Sequence, residues 1–142
     1  MVNEVFKALA DSTRRTILDE LLLNDGQARA LALSTQKLGF LITADVPLGE
    51  HRWLTVVGAN EPDGVDLLLE PDGHPASKVF TRALVEDGIP HTSFAVDDVV
   101  ASHRNLLAGG VRFTREPTGM GPVVMAVLDD TCGTPTQLTS PA

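Results

Sequence analysis

A chain of 142 residues with 43% hydrophobic side chains can build one packed domain but hardly two full ones. The formal net charge of −8 argues against a polyanionic partner such as nucleic acid, because binding there rests on Lys and Arg neutralising phosphates. No apolar run approaches the roughly 20 residues that span a bilayer, the first residues lack the basic-then-apolar order of a signal peptide, and the single Cys132 permits no intrachain disulfide, so no membrane partner and a cytoplasmic setting are expected.

From residue 3 to 23, Val5, Leu9, Ile17, Leu21 and Leu22 recur at helical intervals, with Asp11 or Ser12 placed to cap a second helix and Asn24-Asp25-Gly26 to stop it. The phrase from Val5 to Leu21, centred on Ala8-Leu9-Ala10-Asp11-Ser12-Thr13-Arg14-Arg15, resembles the opening of ArsR-type winged-helix repressors. That resemblance ends near Gln27, before any recognition helix, and base reading needs one. Over the same stretch Lys7, Arg14 and Arg15 are outnumbered by Glu4, Asp11, Asp19, Glu20 and Asp25. Residues 1–26 are therefore expected to be a helical arm for packing or dimerisation rather than a DNA-binding domain.

Ala28 to Leu38 is rich in helix formers, and Gly39 supplies a left-handed stop. Residues 40–44, 52–57 and 65–70 read as strands separated by Pro, Gly and Asn turns, a meander of three. Residues 71–77 form a polar connector holding a solvated His74, and Lys78 to Glu86 carries Val79, Phe80 and Leu84 on one helical face. The strand from His91 to Val96 alternates, with Thr92, Phe94 and Val96 on one side and His91, Ser93 and Ala95 on the other. Asp97-Asp98 then caps a helix from Val99 to Leu107, Gly109-Gly110 ends it, and three more strands follow, around residues 111–114, 123–128 and 136–139. His51 at a turn and His103 on this helix are expected at the surface.

The last third of the chain looks like a second copy of an earlier stretch. A shift of 71 residues sets Gly110 on Gly39, Thr114 on Thr43, Glu116 on Asp45, Val127 on Val56 and Leu138 on Leu67 with no insertion. On that phase Thr55 pairs with Ala126, while Leu54, Val56, Met125 and Val127 fill the helix-facing side. The second half reads as strand, helix and three strands; the first half lacks a convincing opening strand.

The phrases Lys37-Leu38-Gly39-Phe40, Val65-Asp66-Leu67-Leu68-Leu69-Glu70-Pro71, Gly88-Ile89-Pro90, Phe94-Ala95-Val96-Asp97-Asp98-Val99, Gly110-Val111-Arg112-Phe113 and Asp129-Asp130-Thr131-Cys132-Gly133 resemble the vicinal oxygen chelate superfamily. That superfamily includes glyoxalase I, bleomycin-resistance proteins and extradiol dioxygenases. The resemblance, assigned to a domain at 27–142, implies an α+β fold: paired βαβββ modules form a cupped, antiparallel-rich sheet, here with the first strand of module one missing and a helical arm in front. In metal-dependent members the ligands come from the first and last strand of each module. The resemblance places His91, Asp66 and Gln137 at ligand positions, the last two normally Glu, and implies one divalent ion, Zn, Ni, Mn or Fe, as cofactor. The repeat phase makes Asp66 and Gln137 counterparts and puts the fourth position on Glu20, where residues 20–24 either continue the arm as helix or complete the cup as strand. One His, one Asp and a neutral Gln are a thin donor set, and a polar floor of hydrogen bonds is the alternative.

Around such a cup, Trp53 serves as a flat wall or a core filler, Thr55 and Ser93 line the interior, and Met120, read into the turn Thr118-Gly119-Met120-Gly121, suits a lid. Glu70 at the rim is the candidate general base. Cys132 has no flanking base to make it a nucleophile. The resulting expectation is a homodimeric glyoxalase/bleomycin-resistance-like protein that binds a small molecule, as a binder or degenerate enzyme. The alternatives are a metal-dependent lyase or dioxygenase of the same superfamily and a ligand-sensing transcriptional regulator.

Overall fold

The computed structural model describes residues 26–142, so the expected arm, but for Gly26, and the helix-or-strand question at residues 20–24 lie outside the described residues. The chain divides into two compact units, Met1–Pro71 and Asp72–Ala142.

In the first unit, α1 (Gly26–Ala32) runs into a π-helical turn, Leu33–Lys37. The Thr35 hydroxyl donates to the Leu31 carbonyl at 2.8 Å, a back-bond that competes with the regular ladder and accompanies the widened turn. Gly39, at φ +74°, closes it in the left-handed conformation that the sequence anticipates, with the Phe40 N–H donating to the Ser34 carbonyl at 2.9 Å. Strands β1 (Leu41–Leu48), β2 (His51–Val57) and β3 (Leu67–Leu68) then form an antiparallel sheet in the order β1-β2-β3. Only two residues of the expected third strand, 65–70, pair as strand. Leu54 and Val56 are fully buried, each contributing about 1.5–3 kcal/mol of apolar burial. Gln27, only 2% exposed, ties the helix to the sheet. Its Nε2 donates to the Arg52 and Leu69 carbonyls, both at 2.8 Å, and its Oε1 accepts from the Arg52 N–H at 3.1 Å.

The second unit opens with α2 (Pro75–Glu86), which starts three residues before the expected Lys78. His74 is its N-cap rather than a loose connector residue: Nδ1 accepts from the Ala76 N–H at 3.1 Å, and Pro75 occupies the first helical position, where no N–H is needed. Then come β4 (Thr92–Ala95), α3 (Val99–Ala108), β5 (Phe113–Met120), β6 (Val123–Asp129) and β7 (Pro135–Pro141). The sheet order is β4-β7-β6-β5, with β4 parallel to β7 and the other pairs antiparallel. Asp98 caps α3 as the sequence suggests, accepting from the Ala101 N–H at 3.0 Å. The helix lies against β5, β6 and β7. Its Val99 N–H donates to Ser140 Oγ at 3.3 Å, and the His103 ring meets Phe113 edge-on at 4.4 Å. His103 is thus half-buried against an aromatic ring, which corrects its expected surface position. Val99, Ala126, Leu128 and Leu138 form the core of this unit.

The two meanders share one plan but not one spacing. Gly39 and Gly110, 71 residues apart, both end helices at positive φ. Both first strands carry a register shift at the same place, around Thr43 in β1 and Thr114 in β5. Strand β5 has a second shift, between Arg115 and Thr118, and beyond it the hairpin glycines Gly49 and Gly121 stand 72 apart. Third strands fall into yet another phase, since Thr55 pairs with Leu68 while Val127 pairs with Gln137, 69 residues further on. An ungapped 71-residue repeat is therefore corrected. The counterpart of Thr55 is Val127 and that of Leu54 is Ala126. In a strand a one-residue offset exchanges the faces: the fully buried side carries Ala126 and Leu128, while Met125 and Val127 point to the other. Met120 is corrected in the same way: it ends β5 opposite Val123, and the turn itself is Gly121-Pro122.

Candidate functional site

Directly opposed residues of an antiparallel pair share a face. One face of the first sheet therefore carries Trp53 opposite Val46, His51 opposite Leu48, and Thr55 between Ala44 and Leu68. This face grades from closed to open. Thr55 is 6% exposed, whereas Trp53 at 50%, Val46 at 53% and Leu48 at 64% stand open at the hairpin end. The half-exposed indole is thus not a core filler.

A polar chain runs across the same face. The hydroxyl oxygens of Thr43 and Thr55 lie 2.6 Å apart, and Thr43 donates to Asp66 Oδ1 at 3.0 Å. Since the one Thr43 proton is directed at the carboxylate, Thr55 donates to Thr43. Glu70, two residues past Leu68, continues the alternation onto this face and is exposed. Trp53, Thr55, Asp66 and Glu70, selected separately in the sequence, so fall on one side of one sheet. Thr43 was missed because only its position at the register shift turns it toward Thr55, and a shift leaves no mark in the periodicity. The reverse face holds the buried Leu54 and Val56 and the Arg52–Asp45 ion pair.

In the second sheet, Gln137 sits beside Ser93 on β4 and opposite Val127 on β6, and its Nε2 donates to Ser93 Oγ at 3.2 Å. His91, two residues before Ser93, donates its backbone N–H to the Pro135 carbonyl at 2.9 Å, and its ring meets Phe80 of α2 edge-on at 5.6 Å. Met120 is half exposed at the hairpin end of this face, and an Arg115 guanidinium nitrogen lies 4.0 Å from the Met125 sulfur. At the β6–β7 turn the Thr131 N–H holds the Asp129 carboxyl below its ordinary value; burial opposes this and Arg112 adds to it. Cys132 lies in the same turn, which Asp130 fastens by accepting from the backbone N–H groups of Cys132 at 2.8 Å and Thr134 at 2.9 Å and from the Thr134 hydroxyl.

Within neither unit do three His, Cys, Asp or Glu side chains converge among the described residues. The Gln137 amide is engaged with Ser93, and Asp66 Oδ1 with Thr43. The strand register also makes Leu68, not Asp66, the counterpart of Gln137, so the symmetry argument for pairing them as ligands is withdrawn.

A helix followed by a three-stranded meander, drawn twice, with a parallel opening strand on the second copy, defines the α+β architecture of βαβββ modules. The sequence matches the Glyoxalase/Bleomycin resistance protein/Dioxygenase superfamily over residues 18–138, and the chain belongs to that superfamily. Among relatives, it is 44% identical over 119 residues to the uncharacterized protein YurT of Bacillus subtilis (strain 168), covering 84% of this chain and 93% of that protein. Among solved structures it is similar to UcmS2, with 31% identity, a TM-score of 0.66 and coverage of 80% of this chain and 88% of that one. It shares its fold with TnmS3, an antibiotic binding protein from Streptomyces sp. CB03234, at 24% identity, a TM-score of 0.61 and coverage of 82% and 87%. No helix among the described residues is long and apolar enough to cross a membrane.

Proposed function

We propose that this chain is a small-molecule-binding member of its superfamily, a binder or degenerate enzyme, whose ligand rests on the Trp53 face of the first sheet. The observation that carries this reading is the half-exposed indole set beside Val46 and Leu48. Such a shelf gains most when a flat apolar surface displaces water from it. Behind it, the Thr55–Thr43–Asp66 chain adds a few fixed polar groups, the combination that small-molecule sites use for orientation. The antibiotic-binding role of TnmS3 shows that this fold can serve binding. The same reading takes the chain as a cytoplasmic homodimer, for which sedimentation velocity provides the check.

Trp53 is the only tryptophan in the chain, so its emission reports on the site directly. Titration with a panel of planar aromatic compounds is expected to quench or shift that emission for at least one of them. Calorimetry should then show a loss of about 10- to 100-fold in affinity for Trp53→Ala, as for removal of an aromatic anchor. A panel that leaves the emission unchanged would sink the proposal. Elemental analysis of protein purified without chelator tests the enzyme alternative. A stoichiometric Zn, Ni, Mn or Fe ion that is lost in His91→Ala would favour the metal-dependent lyase or dioxygenase instead.

A further inference from the structure

The face that holds Trp53 is chemically lopsided. Its apolar residues gather at the hairpin end, where Trp53, Val46 and Leu48 are open. Its charge lies elsewhere: Asp66, with Glu70 continuing the same alternation, and, among the described residues, no Lys or Arg, His51 standing opposite Leu48 at the hairpin end. None of the first unit's described Lys and Arg residues occupies a strand position on it. Arg29 and Lys37 belong to the helical segment, and Arg52 is ion-paired with Asp45 on the reverse face.

Asp66 is also held in place. Its Oδ1 accepts from Thr43, whose oxygen in turn accepts from the nearly buried Thr55, so two hydroxyl dipoles align toward the carboxylate. Oδ2 has no partner among the described residues. A carboxylate fixed through one oxygen, with the other available and no Lys or Arg on its face among the described residues, is arranged to accept from an incoming N–H group.

From these features we infer that the ligand of this face is an elongated cation: an aromatic or other flat apolar body on Trp53, Val46 and Leu48, joined to a protonated amine that reaches Asp66. This rests on the binding reading above. The length follows from the register. Asp66 Oδ1 reaches Thr43 beside Thr55, and Thr55 lies two residues along β2 from Trp53, so at ~3.3 Å per residue the two anchors stand roughly 7–12 Å apart. Glu70, at the Trp53 end, favours cationic over anionic substituents on the flat body as well.

A matched pair of probes tests the charge separately from the binding. Dansylcadaverine carries a naphthalene ring and an alkylammonium of suitable reach, and its N-acetylated form keeps the same ring and linker but is neutral. Both report by energy transfer from Trp53 to the dansyl group. The cation is expected to bind about tenfold more tightly than the acetylated form at low ionic strength, an advantage that shrinks with added salt. In Asp66→Asn that advantage should disappear, and in Thr43→Val, which frees the carboxylate from its anchor, it should fall part of the way. Equal affinities of the two probes for the wild-type chain would overturn the cationic ligand while leaving the binding reading in place. Transfer to neither probe would overturn both.

Discussion

The two sheets make the same meander from different counts of residues. The first has one register shift in its opening strand, nine residues between β2 and β3, and a third strand of two residues. The second has two shifts, five residues between β6 and β7, a third strand of seven residues, and a parallel neighbour beyond it. Despite this, the same geometric positions are buried: Leu54 and Val56 in one, Ala126 and Leu128 in the other. An added residue would have turned the rest of β5 inside out had the strand stayed regular. The second shift absorbs it, so burial follows geometry rather than distance along the chain.

The largest expected effect breaks that comparison if the faces have been assigned wrongly. Ala126→Lys buries an ammonium in the core and should cost roughly 4 kcal/mol or prevent folding. Met125→Lys, one residue away but on the other face, should stay within about 1 kcal/mol. Urea denaturation of the pair, with soluble yield as a second readout, decides it; a reversed order returns the uninterrupted repeat. Next in size is the tie between helix and sheet. Gln27→Ala removes three hydrogen bonds to backbone groups and should cost about 2–3 kcal/mol, against about 1 kcal/mol for Ser140→Ala, which removes a long bond from the Val99 N–H and a local one to the adjoining Pro141 carbonyl.

The hairpins sharpen the likeness instead. Gly49 at φ +62° and Gly121 at φ +67° occupy the same turn position, and a Cβ at either meets nothing within 4 Å. Gly→Ala at each should therefore cost the same, about 1 kcal/mol, from backbone strain alone. Unequal thermal shifts would show that the turns are not equivalent. The smallest effect belongs to the second sheet alone. Asp129 has its carboxyl lowered chiefly by the Thr131 N–H, so its contribution is present above the ordinary carboxylate range and lost as pH falls through its own lowered value. Asp129→Asn should cost about 1 kcal/mol at neutral pH, and the gap to wild type should close in acid. A gap independent of pH would exclude the carboxylate as its source.

Much of this was written in the chain. Gly39 and Gly110 end helices, Asp98 caps one, and the alternation from His91 to Val96 matches the observed exposure, because each of these signals is local. The superfamily was legible from short phrases for the same reason. What sequence spacing concealed was anything set by how two strands meet. The shift at Thr43, the phase of the third strand and the loss of the Asp66–Gln137 correspondence all depend on pairing partners, to which periodicity is blind. His74 was hidden differently: a Pro-rich stretch reads as a turn until the imidazole is seen to serve as a cap.

Gln27 also bears on the order in which the first unit assembles. Its amide grips β2 at Arg52 and the end of β3 at Leu69 simultaneously, so its receptor does not exist until those two segments lie side by side. The contacts span 25 and 42 residues, and such long closures are made late when a shorter-range hairpin can form first. Loss of this side chain should accordingly quicken unfolding while barely slowing folding, giving Gln27→Ala a φ-value near zero.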